Sequence, residues 1–191
     1  MTHRLLTELQ SKVSFPEQDF EKLEAVLSKR IVKKKKNLLN EGDICRHYAF
    51  VEMGCLRSYS IDDRGTEHVV QLALEGHWIG DLYSITTQTP ATLNIEALED
   101  SHLLLLHYRD VDRLLEEIPV LETYFRKLYQ RAYVQLQQRL NTALSVSAEQ
   151  RYKELIEQHP NLLQRVPLIH IASYLGITPE SLSRIRKLLS P

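Results

Sequence analysis

Apolar positions step along residues 120–144 at threes and fours: Leu121, Phe125, Leu128, Ala132, Leu136 and Leu140. That spacing predicts one long amphipathic helix, the longest in the chain. Two covers are open to its stripe, the molecule's own sheet or the same helix of a second copy. A shorter stripe, Phe20, Leu23, Val26 and Leu27, predicts a helix over 17–29 behind Pro16, and Val111, Leu114 and Leu115 predict another over 109–118. Between these helices the period falls to two. Strands are expected at Tyr48–Val51, Leu56–Ile61, His68–Leu74, Leu93–Ala97 and His102–His107, with turns at Glu41–Asp43, Asp62–Gly65 and Glu75–Gly76. Short strands with regular turn signals imply a sandwich or jelly-roll. The predicted class is α+β: an N-terminal β-roll over 1–119, a long helix and hinge over 120–146, and a helical domain over 147–191.

The helical end carries the sharpest local signals. Ser147 and Gln150 form a candidate capping box for a helix from Ala148 to Gln158. From Val166 the chain reads V-P-L-I-H-I-A-S-Y-L-G-I-T-P-E-S-L-S-R-I-R-K-L-L. A helix over Pro167–Leu175 ends at Gly176, which takes the left-handed conformation, and a second begins with Thr178 as N-cap and Pro179 at its first position. Ile171, Ala172, Leu175, Ile177, Leu182 and Ile185 would lock the two together. This is helix-turn-helix spacing, in which the second helix enters a major groove. An ordinary helical hairpin with a solvated polar face fits the same residues. On the DNA reading, Thr178, Pro179, Glu180, Ser183, Arg184 and Lys187 are the candidate contact residues, because arginine can grip guanine and glutamate can accept from cytosine.

Composition narrows the choice. The chain has 191 residues, 43% of them hydrophobic, so a packed core is available. Its longest aliphatic run, Leu103–Leu106, is too short to span a bilayer, and the first residues lack a signal-peptide core, so a cytoplasmic location without membrane association is expected. Cys45 and Cys55 cannot form a disulfide framework. The net charge is −1, but residues 1–120 carry −6, residues 121–144 carry +3 and residues 145–191 carry +2. An acidic front and basic back suit a protein that presents only its C-terminal part to phosphates. The run Lys33–Lys36 reads either as a phosphate patch or as a charged strand end that resists mispairing.

The order of parts resembles the Crp/Fnr family of bacterial transcription regulators over about Glu17–Leu189. Three stretches carry the resemblance: L-L-N-E-G-D (38–43) with F-V-E-M-G-C-L-R (50–57), G-H-W-I-G-D-L (76–82), and L-G-I-T-P-E-S-L-S-R-I-R-K (175–187). It implies a dimeric regulator that binds a double-stranded DNA operator, engages RNA polymerase and answers a small-molecule effector. It also implies that Leu121, Phe125, Leu128, Ala132, Leu136 and Leu140 form the dimer interface. The effector pocket would be built by Gly80, Asp81, Leu82, Ala91, Thr92, Leu136 and Gln137.

Members of the family that bind cyclic AMP hold its phosphate with an arginine-serine pair, where this chain has Ala91 and Thr92. They also offer small hydroxyl side chains to the adenine, where it has Leu136 and Gln137. Both departures argue against cyclic AMP, since the phosphate loses its charge-assisted partner. Asp81 reads equally as a ligand contact or as a turn-capping carboxylate. Pro179 replaces a base-reading arginine of the family, so a different operator is expected. The family often adds a β-hairpin wing after the recognition helix, where this sequence reaches Pro191. Phosphate contacts are then expected from the helices, including the helix start near Val166. No cofactor is expected. The cysteine cluster of iron–sulfur members is missing, and so are a phosphate-binding glycine loop and a nucleophile elbow. His47, His68, His77, His102 and His107 lack the spacing of a metal-binding cupin. The expectation is therefore not an enzyme. A cupin-like metal enzyme with a helical C-terminal extension is the alternative.

Overall fold

The computed structural model describes residues 4–189; the Pro191 end and the first three positions of the N-terminal reading lie outside them. In chain order, the helices are α1 (Arg4–Lys12), α2 (Glu17–Val26), α3 (Leu82–Thr87), α4 (Tyr108–Glu117), α5 (Val120–Ser145), α6 (Ala148–Gln158), α7 (Leu162–Arg165), α8 (Leu168–Leu175) and α9 (Pro179–Leu189). The strands are β1 (Leu27–Val32), β2 (Asn37–Leu39), β3 (His47–Met53), β4 (Leu56–Ile61), β5 (Glu67–Ala73), β6 (Trp78–Ile79), β7 (Asn94–Ala97) and β8 (Ser101–His107). They form two antiparallel four-stranded sheets, ordered β1-β8-β3-β6 and β2-β7-β4-β5. The class is α+β, with an N-terminal β-roll, a long helix and a helical C-terminal unit.

The expected helix over 17–29 ends at Val26. Leu27 already pairs with Leu106 at the start of β1, and this long-range partner overrides the local helical spacing. Lys33 and Lys34 then meet Asp100, whose carboxylate accepts from Lys33 Nζ (2.8 Å) and the Lys34 amide (2.9 Å).

A tight approach fixes the turn between β3 and β4. Gly54 has φ +106°, and a Cβ there would stand 2.8 Å from Ser101 Cα. Only glycine meets both demands.

One core lies between the sheets and includes Val51, Leu56, Ile79, Ile95, Leu103 and Leu105. A second joins the outside of the first sheet to the helices. Leu5, Leu6 and Leu9 of α1 pack there with Phe50, Leu104, Leu106, Leu121, Tyr124 and Phe125. Trp78 Nε1 donates to the Tyr124 hydroxyl (2.9 Å), and its ring meets Phe50 edge-on at 5.2 Å. These contacts fasten the first turns of α5 to the roll.

The attachment corrects part of the expected dimer surface. Leu121 and Phe125 are buried in the molecule's own core, and Leu128 is half-buried against it. A side chain spent on the roll cannot also face a second copy. Ala132, Leu136 and Leu140 are exposed, as is every residue from Arg131 to Gln138.

Candidate nucleic-acid interface and sensor pocket

The turn between α8 and α9 forms as its residues dictate. Gly176 takes φ +67°, and the Ile177 amide donates back to the Ala172 carbonyl (3.0 Å), closing the C-terminus of α8. Thr178 Oγ1 accepts from the Ser181 amide (3.2 Å) and so caps α9. Ile171, Ala172 and Leu182 are all but fully buried where the helices cross, with Ile177 and Ile185 at the margin. Thr178, Pro179, Glu180, Ser183, Arg184 and Lys187 are all exposed. Arg184 donates to Ser181 Oγ (3.2 Å). The Glu180 carboxyl is held below its usual range, first by its own backbone amide, then by Thr178 and Arg184. This face carries a carboxylate and a guanidinium one helical turn apart, turned to solvent.

Upstream, Ser147 Oγ accepts from the Gln150 amide (3.2 Å), but the Gln150 side chain donates to Glu154 (2.9 Å). Only half of the expected capping box forms.

The sensor side departs further from expectation. A cavity of about 410 Å³ opens between the roll and α5, lined by Gly80, Leu82, Trp78, Leu128, Tyr129 and Gln135, among others. Of the seven expected pocket residues, only Gly80 and Leu82 reach it. Asp81 is buried: Oδ1 accepts from the Ser84 amide (2.9 Å), and Oδ2 from the amides of Thr92 (3.0 Å) and Leu93 (3.2 Å). Its carboxylate is needed as the N-cap of α3, whose Tyr83, Ile85 and Thr86 are weak helix formers. Ala91 packs into the core between the sheets, and Thr92 is exposed. Leu136 and Gln137 lie on the solvent side of α5, outside the lining. Tyr129 and Gln135 supply its wall instead.

The helical unit is docked on the roll by contacts that local sequence patterns do not announce. Cys55 and Leu98 of the roll share a core with Tyr152, Leu162, Val166, Ile171 and Leu175. Arg165 forks onto both Glu75 (2.8 Å) and Glu99 (2.7 Å). Its hydrogen bonds hold the Glu75 carboxyl at about 2. Arg57, buried within β4, grips Glu67 and Glu96 and stands 2.9 Å from His170 Nδ1 of α8. Burial and the nearby Arg57 charge push the His170 pKa down, so its ring is neutral at pH 7. Ser173 Oγ accepts from the Val69 amide and donates to the Glu67 carbonyl, along the outer edge of β5.

The architecture thus combines a roll of the cyclic-nucleotide-binding type with a long connecting helix and a helix-turn-helix. The sequence pattern of the cyclic nucleotide-binding domain matches residues 29–118. The transcriptional regulatory protein btr of Bordetella pertussis is 26% identical over 91% of this chain and 76% of its own length. The transcriptional activator protein anr of Pseudomonas aeruginosa is 25% identical over 91% and 75%. FixK2 of Bradyrhizobium japonicum shares the fold with a TM-score of 0.70, at 19% identity over 86% of this chain and 84% of that one. The Thermus thermophilus catabolite activator protein shares it at 0.58, with 19% identity over 91% and 83%. Along most of its length the chain is thus similar to transcriptional regulators, and its sequence and fold together support a regulator of the Crp/Fnr type.

The cupin-like alternative is not favoured by these relatives. Among the described residues no three His, Cys, Asp or Glu side chains gather as a ligand set. No described helix is long and apolar enough to cross a membrane.

Proposed function

We propose that this regulator binds operator DNA as a homodimer, with α9 in the major groove and the roll as its sensor. The observation that carries the reading is the exposed face Thr178, Pro179, Glu180, Ser183, Arg184 and Lys187 on a helix fixed by a buried crossing. The division of labour follows the chain: roll to residue 119, dimer helix and hinge over 120–146, reading domain from 147.

The dimer seam is the second half of α5. Tyr129, Tyr133, Leu136, Leu140 and Leu144 recur at fours and threes and are all exposed, which is the spacing of a two-helix seam. A two-fold axis along this seam sets two α9 helices against two half-sites. In sedimentation at micromolar concentration the protein runs as a dimer, and Leu140→Glu runs as a monomer, because a carboxylate then faces its own copy. Selection from random duplexes returns a two-fold symmetric site for the parent and none for the variant. A parent that stays monomeric on a selected symmetric duplex overturns the dimer reading.

The effector of the roll pocket is not cyclic AMP. Asp81 is consumed by backbone amides, and Ala91 offers the cyclic phosphate no cation. Losing the charged partner of a buried phosphate costs about 2–5 kcal/mol. Calorimetry should therefore find no micromolar binding of cyclic AMP; such binding would require another cation at the pocket.

A further inference from the structure

A second cavity, of about 590 Å³, lies where three parts of the chain meet. β5 contributes Gln71, α5 contributes Gln138 and Arg139, α6 contributes Arg151, and α8 closes the space with Tyr174. It shares only Gln71, His77 and Gln135 with the pocket beside Gly80.

Two arginines line this cavity, and neither is paired with a carboxylate among the described residues. Arg139 donates to the carbonyls of Val69 (3.0 Å), Val70 and Tyr174 (2.8 Å), and its guanidinium stacks 4.1 Å over the Tyr174 ring. Burial pulls its pKa down, against a smaller opposing effect of the Tyr174 phenol. Arg151 Nε is shut from solvent and has no hydrogen-bond acceptor. The one carboxylate on the wall, Glu154, accepts from Gln150. By contrast, Arg57 and Arg165 are each held by two carboxylates. A desolvated cation without a counter-ion costs free energy, and an oxyanion in the cavity, within reach of the terminal guanidinium nitrogens, offsets that cost.

We propose that this interdomain cavity binds a small organic anion, carboxylate or phosphate, whose oxygens accept from Arg151 and offset the charge of Arg139. Its volume is that of a small-molecule site and excludes a duplex. The glutamine amides on the walls suit a polar ligand body. Because the roll, α5 and the helix-turn-helix all contribute walls, the ligand holds them in the docked arrangement. Ligand concentration thereby sets how firmly the reading domain is docked. This inference does not rest on the DNA-binding reading.

Calorimetry on the full chain tests it, with citrate as the carboxylate probe, pyrophosphate as the phosphate probe and sodium chloride at matched ionic strength as control. At least one probe binds saturably, one per chain. Arg151→Gln weakens it roughly tenfold or more, the worth of a charge-assisted hydrogen bond, while Arg151→Lys keeps part of the affinity. Hydrogen exchange slows in α8 when the probe is bound. Three results overturn the proposal: no binding of either probe up to about 10 mM, equal affinity in parent and Arg151→Gln, or loss of binding in Arg131→Gln but not Arg151→Gln. The last would put the anion in the pocket beside Gly80, which Arg131 lines.

Discussion

Arg184→Ala lowers affinity for the selected operator by roughly 1–3 kcal/mol per half-site, or about 2–6 kcal/mol for the symmetric dimer. In the proposed complex Arg184 makes a bidentate contact to guanine, and Glu180, one turn earlier on the same face, accepts from a cytosine amino group. The free protein leaves Arg184 available: its side chain is exposed and donates to the hydroxyl of Ser181 (3.2 Å), with the Glu180 carboxylate nearby. A neutral contact of that kind is readily exchanged for a base edge. The substitution should also relax preference at one base position per half-site. Lys187→Ala should behave differently, weakening all duplexes alike and flattening the dependence on salt, as loss of a phosphate contact does. Binding of both variants to the selected operator and to single-base variants of it, at two salt concentrations, checks this. If Arg184→Ala keeps the parent's affinity and base preference, the readout assignment fails even where the protein still binds DNA.

Arg57→Met destabilises the fold by about 3–5 kcal/mol, the usual cost of removing one partner from a buried ion cluster. Arg57 is 4% exposed, and it holds Glu96, itself 16% exposed, at 2.6 Å. Its guanidinium also stacks 3.9 Å over Tyr59. Methionine fills much of the volume and leaves the half-buried Glu96 carboxylate without its main counter-charge. Thermal unfolding should show a midpoint lowered by about 10 °C, given the 2–4 °C per kcal/mol expected at this chain length. Adding Glu96→Gln to the variant should restore most of that loss, because the stranded charge and not the missing packing is the main cost. The variant should also speed hydrogen exchange in α8, since Arg57 reaches His170 there. A midpoint within a degree or two of the parent's would show the cluster to be energetically neutral.

What could be read from the chain divides by range of interaction. The helix-turn-helix was legible almost residue by residue: Gly176, Thr178 and Pro179 act through bonds to near neighbours, and the helices fall at Leu168–Leu175 and Pro179–Leu189. The strands over 56–61 and 102–107 were legible for the same reason. Helix α3 was not, because its tyrosine, isoleucine and threonines favour strand. It exists through the tertiary cap from Asp81. Helix α1 is not legible either: charges interrupt residues 4–12, and the burial of Leu5, Leu6 and Leu9 depends on α5 and the first sheet. The apolar stripe of α5 was visible, but not the point near Tyr129 where it stops serving the roll. The partners of Arg57 and Arg165 lie 10 to 113 positions away, so no spacing rule reveals them. The expected pocket set failed for a related reason. A motif match locates Asp81 in the chain but does not tell which amides its carboxylate meets.

The contact of Ser173 with β5 bears on how the molecule avoids sticking to itself. β5 is the last strand of its sheet, and an open outer strand is a template on which another chain can add by backbone pairing. Here the hydroxyl of Ser173 occupies the amide of Val69 and the carbonyl of Glu67, while Arg139 takes the carbonyls of Val69 and Val70. The helical domain, together with Arg139 of α5, therefore covers a sheet margin that would otherwise recruit other strands. Any motion that lifts the domain to search for DNA also uncovers the Val69 amide and the Glu67 carbonyl that Ser173 occupies. Release of the domain and protection from aggregation are set against each other in the same few hydrogen bonds.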